Sequence, residues 1–216
     1  KRDLRERDSW MLIRENGRKT RSKKGEEPMK KIIVGATGAS GMPILKECLK
    51  MIRSEKEYES ALIMSRSAVL TLEHETDDRR EEIEELADEV LAPDQIGAGP
   101  ASGSYRTHGM LIVPCSMKTV AGICSGYTDN LILRAADVTI KEQRPLVLAA
   151  RETPLSPIHL RNLAELSGMP GVRIIPPMMT FYHRPETIDD MVRHTAAKLL
   201  EPFGIEAKGY RRWEGI

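Results

Sequence analysis

The chain is short of most features that would betray a function through composition alone. Its three cysteines, Cys48, Cys115 and Cys124, are irregularly spaced and form no C-x-x-C pair. That excludes a disulfide framework and predicts a reduced, cytoplasmic protein. No set of His, Cys, Asp and Glu has the spacing of a metal site, so a protein-bound metal is not expected. Net charge is also missing: 33 basic residues meet 32 acidic ones, a formal +1, which leaves no global field for nucleic acid or a membrane surface. No apolar run is long enough to span a bilayer, and none has the form of a signal-peptide core. Residues 1–28 could be taken for a nucleic-acid arm, but they lack the interleaved aromatics that such an arm uses.

What is present is a length of 216 residues, enough for one domain with a sizeable core. The charge balance hides a local bias. Residues 1–28 hold ten Lys or Arg and six Asp or Glu, with no helical or strand period. They read as a disordered basic extension, leaving residues 29–216 as the folded domain. Met29 stands just ahead of the first strand, where a natural start is expected.

The folded part is organised around Gly35-Ala36-Thr37-Gly38-Ala39-Ser40-Gly41. A buried strand, Ile32-Ile33-Val34, precedes it. Met42 to Lys56 follows, with Leu45, Cys48, Leu49 and Ile52 on one helix face. Strand, glycine turn and helix together aim backbone N–H groups and a helix N-terminus at an anion. A tight turn without any ligand has the same signature. The ligand class stays open between a dinucleotide and a flavin mononucleotide.

Farther along, Ala61–Met64 reads as a strand and Ala68–Glu75 as a helix. Residues 77–91 place Ile83, Leu86, Ala87, Val90 and Leu91 on one helical face, with a solvated acidic face opposite. Pro93 to Thr107, with Gly97, Gly99 and Gly103, is a long loop. Strands follow at Met110–Val113, Leu146–Leu148 and Val172–Ile175. Helices follow from Cys115, over Leu131–Asp137, over Pro157–Ser167 and from Pro185 onward. Five strands alternating with helices predict a doubly wound parallel sheet in an α/β fold.

Such sheets bind ligands beyond the carboxyl ends of their strands. That edge collects Gly38 to Ser40, Ser65, Ser116 to Thr119, Arg151 with Glu152, and Thr180 to Tyr182. Hydroxyls and cations together suit a phosphorylated ligand. An NADP-dependent dehydrogenase is one reading, since Arg66 follows the second strand where a 2′-phosphate would lie. The Tyr-x-x-x-Lys of short-chain dehydrogenases is absent, and the strand-end serines have no place in that reading.

With the strand ends in view, the chain resembles the UbiX family of flavin prenyltransferases. The stretches that carry the resemblance are GATGASG (35–41), Ala101 to Ser104, PCSMKT (114–119), RAADV (134–138), Lys141-Glu142, RETPLSPIHLRNL (151–163), FYHRPET (181–187) and RRWEG (211–215). They run in order from about Lys31 to Gly215. SYRTHGM (104–110) and RRWEG are most similar to the B-subunit branch of non-oxidative hydroxyarylic (phenolic) acid decarboxylases.

The resemblance implies a flavodoxin-like or Rossmann-like three-layer α/β/α fold that binds FMN. It implies transfer of dimethylallyl from dimethylallyl monophosphate to N5 and C6 of reduced FMN, without a metal. The product, prenylated FMN, would serve a UbiD-type aromatic acid decarboxylase. A homododecamer with sites at subunit contacts is implied as well.

By position, Gly38, Ala39, Ser40, Ser65, Ser116, Met117, Lys118, Thr119 and Arg151 match the family's FMN contacts. Tyr182 and Lys198 match the holders of dimethylallyl phosphate. Glu75, Glu152, Lys141 and Arg134 match active-site polar positions. Many members carry Arg where Lys198 stands; lysine keeps the charge without the bidentate fork. The alternative implied is a non-catalytic FMN or prenyl-FMN carrier subunit of a hydroxyarylic acid decarboxylase. Flavoprotein cysteine decarboxylases are a third possibility, but their P-x-M-N-x-x-M-W segment is not evident. Trp213 reads as a packing or subunit-contact residue, and His108, His159 and His183 as isolated.

Overall fold

The computed structural model describes residues 28–207, 210, 212, 213 and 215. The expected extension therefore lies outside the described residues except for Pro28, and RRWEG lies partly so.

Six strands form one parallel sheet: β1 (Lys30–Ala36), β2 (Tyr58–Met64), β3 (Glu89–Leu91), β4 (Gly109–Cys115), β5 (Leu146–Ala150) and β6 (Val172–Ile174). Their order is β3-β2-β1-β4-β5-β6. Without the three-residue edge strand β3 this is the flavodoxin-like order, and with it the Rossmann order. The chain winds outward from β1 in one direction and from β4 in the other. The topological switch point is the crevice between those two strands.

Side chains alternate across the sheet and feed two cores. Ile32, Val34, Leu62, Leu111 and Val147 face helices α1 (Met42–Ser54), α2 (Arg66–Glu75) and α7 (Ile188–Leu200). Ile33, Ile63, Met110, Ile112 and Leu148 face α4 (Met117–Cys124), α5 (Leu131–Lys141) and α6 (Pro157–Ser167). Leu45, Leu49 and Ile52 of α1 are fully buried. Each contributes on the order of 1.5–3 kcal/mol of apolar burial.

Two elements differ from the periodicity. Residues 77–91 are not one helix: α3 spans Arg80–Glu84, and Glu89–Leu91 is β3. Ile83 is fully buried, but Val90 points outward at the sheet's edge and is exposed. The last helix starts later than Pro185. Thr187 caps it, accepting from the Asp190 N–H at 3.1 Å while the Asp190 carboxylate accepts from the Thr187 N–H at 2.9 Å.

The 93–107 loop must carry the chain from the carboxyl edge, where β3 ends, to the amino edge, where β4 begins. Arg144 holds its far end by donating to the carbonyls of Gly103 and Tyr105, each at 2.8 Å. Among the described residues no helix is long and apolar enough to cross a membrane.

Candidate functional site

A cavity of about 200 Å³ opens at the switch point, lined by Thr37, Gly38, Ser65, Ser67, Ser116, Lys118, Thr119, Asn130, Ile132 and Leu133. Three of these residues cap helices. Ser65 Oγ accepts from the Ala68 N–H at the start of α2, at 3.1 Å. Ser116 Oγ accepts from the Thr119 N–H of α4, and Asn130 Oδ1 from the Leu133 N–H of α5 at 3.1 Å. The positive ends of three helix dipoles thus meet around one space, with the Lys118 side chain beside them. Such a space favours an electron-rich or anionic group.

Thr37 fastens the two sides of the crevice together. Its buried hydroxyl donates to the Pro114 carbonyl at 3.0 Å and accepts from the Ser116 N–H at 2.8 Å. Gly38 faces Ser67 across the cavity wall. A Cβ on Gly38 would stand 2.4 Å from the Ser67 Cβ, closer than two such atoms can be. Gly41 has φ +137°, which a side chain would resist.

The glycine turn does not offer the N-terminus of α1 to a ligand, as its layout suggested. Glu75 occupies that place: one carboxylate oxygen accepts from both the Gly41 and the Met42 N–H, each at 2.9 Å. The anion held by this turn belongs to the chain itself. Glu75, matched to an active-site position, thus serves α1 as its cap. Ser40 and Ala39 stand in the turn just before it, with Ser40 exposed.

The remaining matched positions divide. Lys118 and Thr119 line the cavity, while the Met117 side chain is buried in the second core and has only its backbone to offer. Arg151 and Glu152 are exposed where β5 ends, and among the described residues no ion pair joins them. Glu152 instead accepts from the Thr153 N–H at 3.0 Å.

Lys141 and Arg134 are not brought to this cavity. Eleven residues of α5 place Lys141 roughly 15 Å from the capped end. There it pairs with Glu142. Arg134 donates to the Ala101 carbonyl at 3.2 Å and to Asp137 at 2.7 Å.

Tyr182 and Lys198, distant in sequence, do meet. Both line a second cavity of about 200 Å³ with Ile175, Pro176, Met178, Thr180, His194, Thr195 and Tyr210. Lys198 pairs with Glu201 at 2.6 Å, and that hydrogen bond holds its ammonium above the usual lysine range. Its side chain is 52% exposed, so the charge is available at the rim.

An aromatic cluster surrounds Tyr182. His183 stacks on His194 with ring centres 4.1 Å apart and planes 3° from parallel, and Trp213 meets Tyr182 edge-on at 5.8 Å. Burial, then His183, then Lys198 pull the His194 imidazole below its ordinary pKa. His183 is therefore not isolated. His159 is a helix cap, accepting from the Ser156 N–H at 3.2 Å, and His108 meets the Phe203 carbonyl at 3.0 Å.

Sequence reasoning missed Thr37, Asn130 and His194. Asn130, directly before Leu131-Ile132-Leu133, carries a readable N-cap signature. Nothing local marks the other two.

The family model described as Flavoprotein matches residues 20–200. A probable UbiX-like flavin prenyltransferase of Streptomyces sp. (strain D7) is 49% identical over 186 residues, covering 86% of this chain and 92% of its own. Among solved structures, a dodecameric FMN-dependent UbiX-like decarboxylase from Escherichia coli O157:H7 is 49% identical. It superposes with a TM-score of 0.84, over 86% of this chain and all of its own. AnUbiX (PadA1), solved with FMN and dimethylallyl pyrophosphate, gives a TM-score of 0.84 at 41% identity, covering 87% of this chain and 99% of its own.

Proposed function

This chain belongs to the UbiX-like flavin prenyltransferase family of flavoproteins, and from that premise we propose how its two cavities divide one reaction. The chain is a flavin prenyltransferase. It joins the dimethylallyl group of a dimethylallyl phosphate to reduced FMN and makes prenylated FMN. The observation that carries the assignment of the cavities is the convergence of three capping side chains, Ser65, Ser116 and Asn130, at the switch point.

FMN suits these residues. The wall at Gly38 has no room for a side chain, so backbone is what a ligand meets there. Gly38, Ala39, Ser40, Ser65, Ser116, Lys118, Thr119 and Arg151 would hold it, with Met117 contributing through its backbone. Reduced FMN, once bound, supplies the nucleophile.

Tyr182 and Lys198 hold the phosphate of the donor. One ammonium and one hydroxyl suit a monophosphate, and each charge-assisted hydrogen bond is worth about 1.5–3 kcal/mol. As the carbon–oxygen bond breaks, its electron pair leaves with the phosphate, and these two groups stabilise the growing charge. Glu152 takes up the released proton on its carboxylate. Lys141 and Arg134 stand away from both cavities of their own chain and act in the site of a neighbouring copy. A homododecamer supplies that neighbour, as in the Escherichia coli relative. The product passes to a UbiD-type decarboxylase, and the three free thiols suit a cytoplasmic setting.

Anaerobic incubation with reduced FMN and dimethylallyl monophosphate, followed by mass analysis of the flavin, tests the reading. The flavin should gain one dimethylallyl group. A parallel arm with the pyrophosphate identifies the preferred donor. The separation of Lys141 and Arg134 from the cavities also suits a carrier subunit, which needs the flavin cavity alone. Tight FMN binding with no gain in flavin mass, at every protein concentration, would establish the carrier.

A further inference from the structure

Tyr182 has to present its hydroxyl to a phosphate from an unpromising position. It lies between Ile174 and Ile188, a stretch with neither helix nor strand, and it is 42% exposed. A side chain there gains little orientation from its own backbone. The element that can orient it is α7. His194, only 8% exposed, sits on that helix beside the buried Ala196, Ala197 and Leu199. Its Nε2 lies 3.2 Å from the Tyr182 hydroxyl oxygen.

We propose that His194 is a positioning residue for prenyl-donor binding, holding the Tyr182 hydroxyl toward the donor phosphate from the same helix face that carries Lys198. This rests on the reading of Tyr182 and Lys198 as the phosphate holders. The spacing supports it, since residues four apart share a helix face. Both ligand groups of the donor cavity are thereby referred to one rigid element.

The hydrogen-bond direction follows from the chemistry. An ionised phosphate oxygen only accepts, so Tyr182 gives its proton to the phosphate. Its oxygen is then free to accept from His194, which must carry a proton on Nε2. The parallel His183 ring, stacked at 4.1 Å, fixes the plane of the imidazole, and Tyr210 lies against it with ring centres 4.8 Å apart. His183 makes no competing hydrogen bond: both of its ring nitrogens are buried without a partner among the described residues.

Calorimetry of dimethylallyl monophosphate binding to the FMN-loaded protein, with the flavin oxidised so that no transfer occurs, tests the proposal. His194→Phe keeps the ring and its stack but removes the hydrogen bond. It should weaken donor binding about tenfold and leave FMN affinity unchanged. His194→Gln, whose amide nitrogen reaches a similar place, should restore most of the loss. Tyr182→Phe should weaken the donor by as much or more, and adding His194→Phe to it should cost nothing further, because the two residues act as one unit.

Independent, multiplicative losses in the double variant would overturn the proposal, as would unaltered donor binding in His194→Phe. A His194→Phe protein that loses donor and FMN alike would overturn it too, by showing damage to packing. Wild-type protein that binds the donor but makes no adduct with reduced FMN refutes the transferase and leaves the role of His194 standing. Wild-type protein that binds no donor refutes both.

Discussion

The two cavities are built from opposite materials. The cavity assigned to flavin is built mostly of fold: N-caps, a crevice staple at Thr37 and a glycine wall at Gly38, with the Lys118 side chain beside them. The cavity assigned to the donor is made of side chains, with Tyr182 on an irregular stretch held against His194 and Lys198 of α7. A group that caps a helix cannot be removed without loosening the helix. A group that only faces a ligand can. Changes in the first cavity should therefore cost stability and affinity together, and changes in the second should cost affinity or rate alone.

The largest expected effect lies in neither cavity wall but at the end of β5, where Glu152 is exposed and pairs with no cation of its own strand end. Glu152→Gln keeps the shape and cannot carry a proton. It should slow single-turnover adduct formation on the order of 10²–10⁴-fold at saturating FMN, with little change in FMN affinity. A wild-type rate under those conditions would remove Glu152 from the chemistry.

Gly38→Ala tests the first half of the comparison. The new Cβ meets the Ser67 Cβ at 2.4 Å, so the loop must shift. We expect a loss of about 1–3 kcal/mol in stability and weaker FMN binding in the same protein. Adding Ser67→Gly should recover both, as read by thermal melts and flavin titration. Recovery of stability without FMN binding would detach the flavin from this wall.

Lys198→Ala tests the second half. Its ion pair with Glu201 is exposed, so its loss should barely move the melting temperature. Donor affinity should fall about tenfold while FMN affinity holds. Equal loss of both ligands would show that the two cavities are not separate in function.

The same contrast explains what could be read from the residues alone. The switch-point cavity was partly legible because Ser65 and Ser116 each follow an apolar strand, which places them at the carboxyl edge of the sheet, although their role as helix caps emerges only in the structure. Helix α6, with Ser156 at its cap and Pro157 in its first turn, falls where its pattern places it. Strand β3 was not legible, because three residues are too few to show a period of two. Val90 and Leu91 happen to extend the helical spacing of Ile83 and Leu86. Glu75 closes on α1 across 34 residues, and His194 of α7 reaches back to Tyr182 in the irregular stretch before that helix. Such contacts are set by tertiary folding and leave no local spacing. Tyr182 and Lys198 come together only through the family resemblance in the sequence, and in the structure they line one cavity.

The smallest effect is one of pH, and it follows from the burial of His194. Its imidazole is pulled down first by burial, then by His183 and Lys198, with Tyr182 and Tyr210 as the other groups facing it. The unfolded chain binds that proton near the ordinary histidine value of about 6.5, and the folded chain only at lower pH. The unfolded state therefore gains protons first as pH falls. The stabilising contribution is complete above about pH 6.5 and is lost as pH drops through the lower folded value. Melting temperatures taken from pH 8 to pH 5 should bend downward below 6.5 in the wild type. They should bend less in His194→Phe, which retains the stack and cannot titrate. Coincident curves would mean that His194 titrates alike folded and unfolded, which a buried ring stacked on His183 and close to Lys198 should not do.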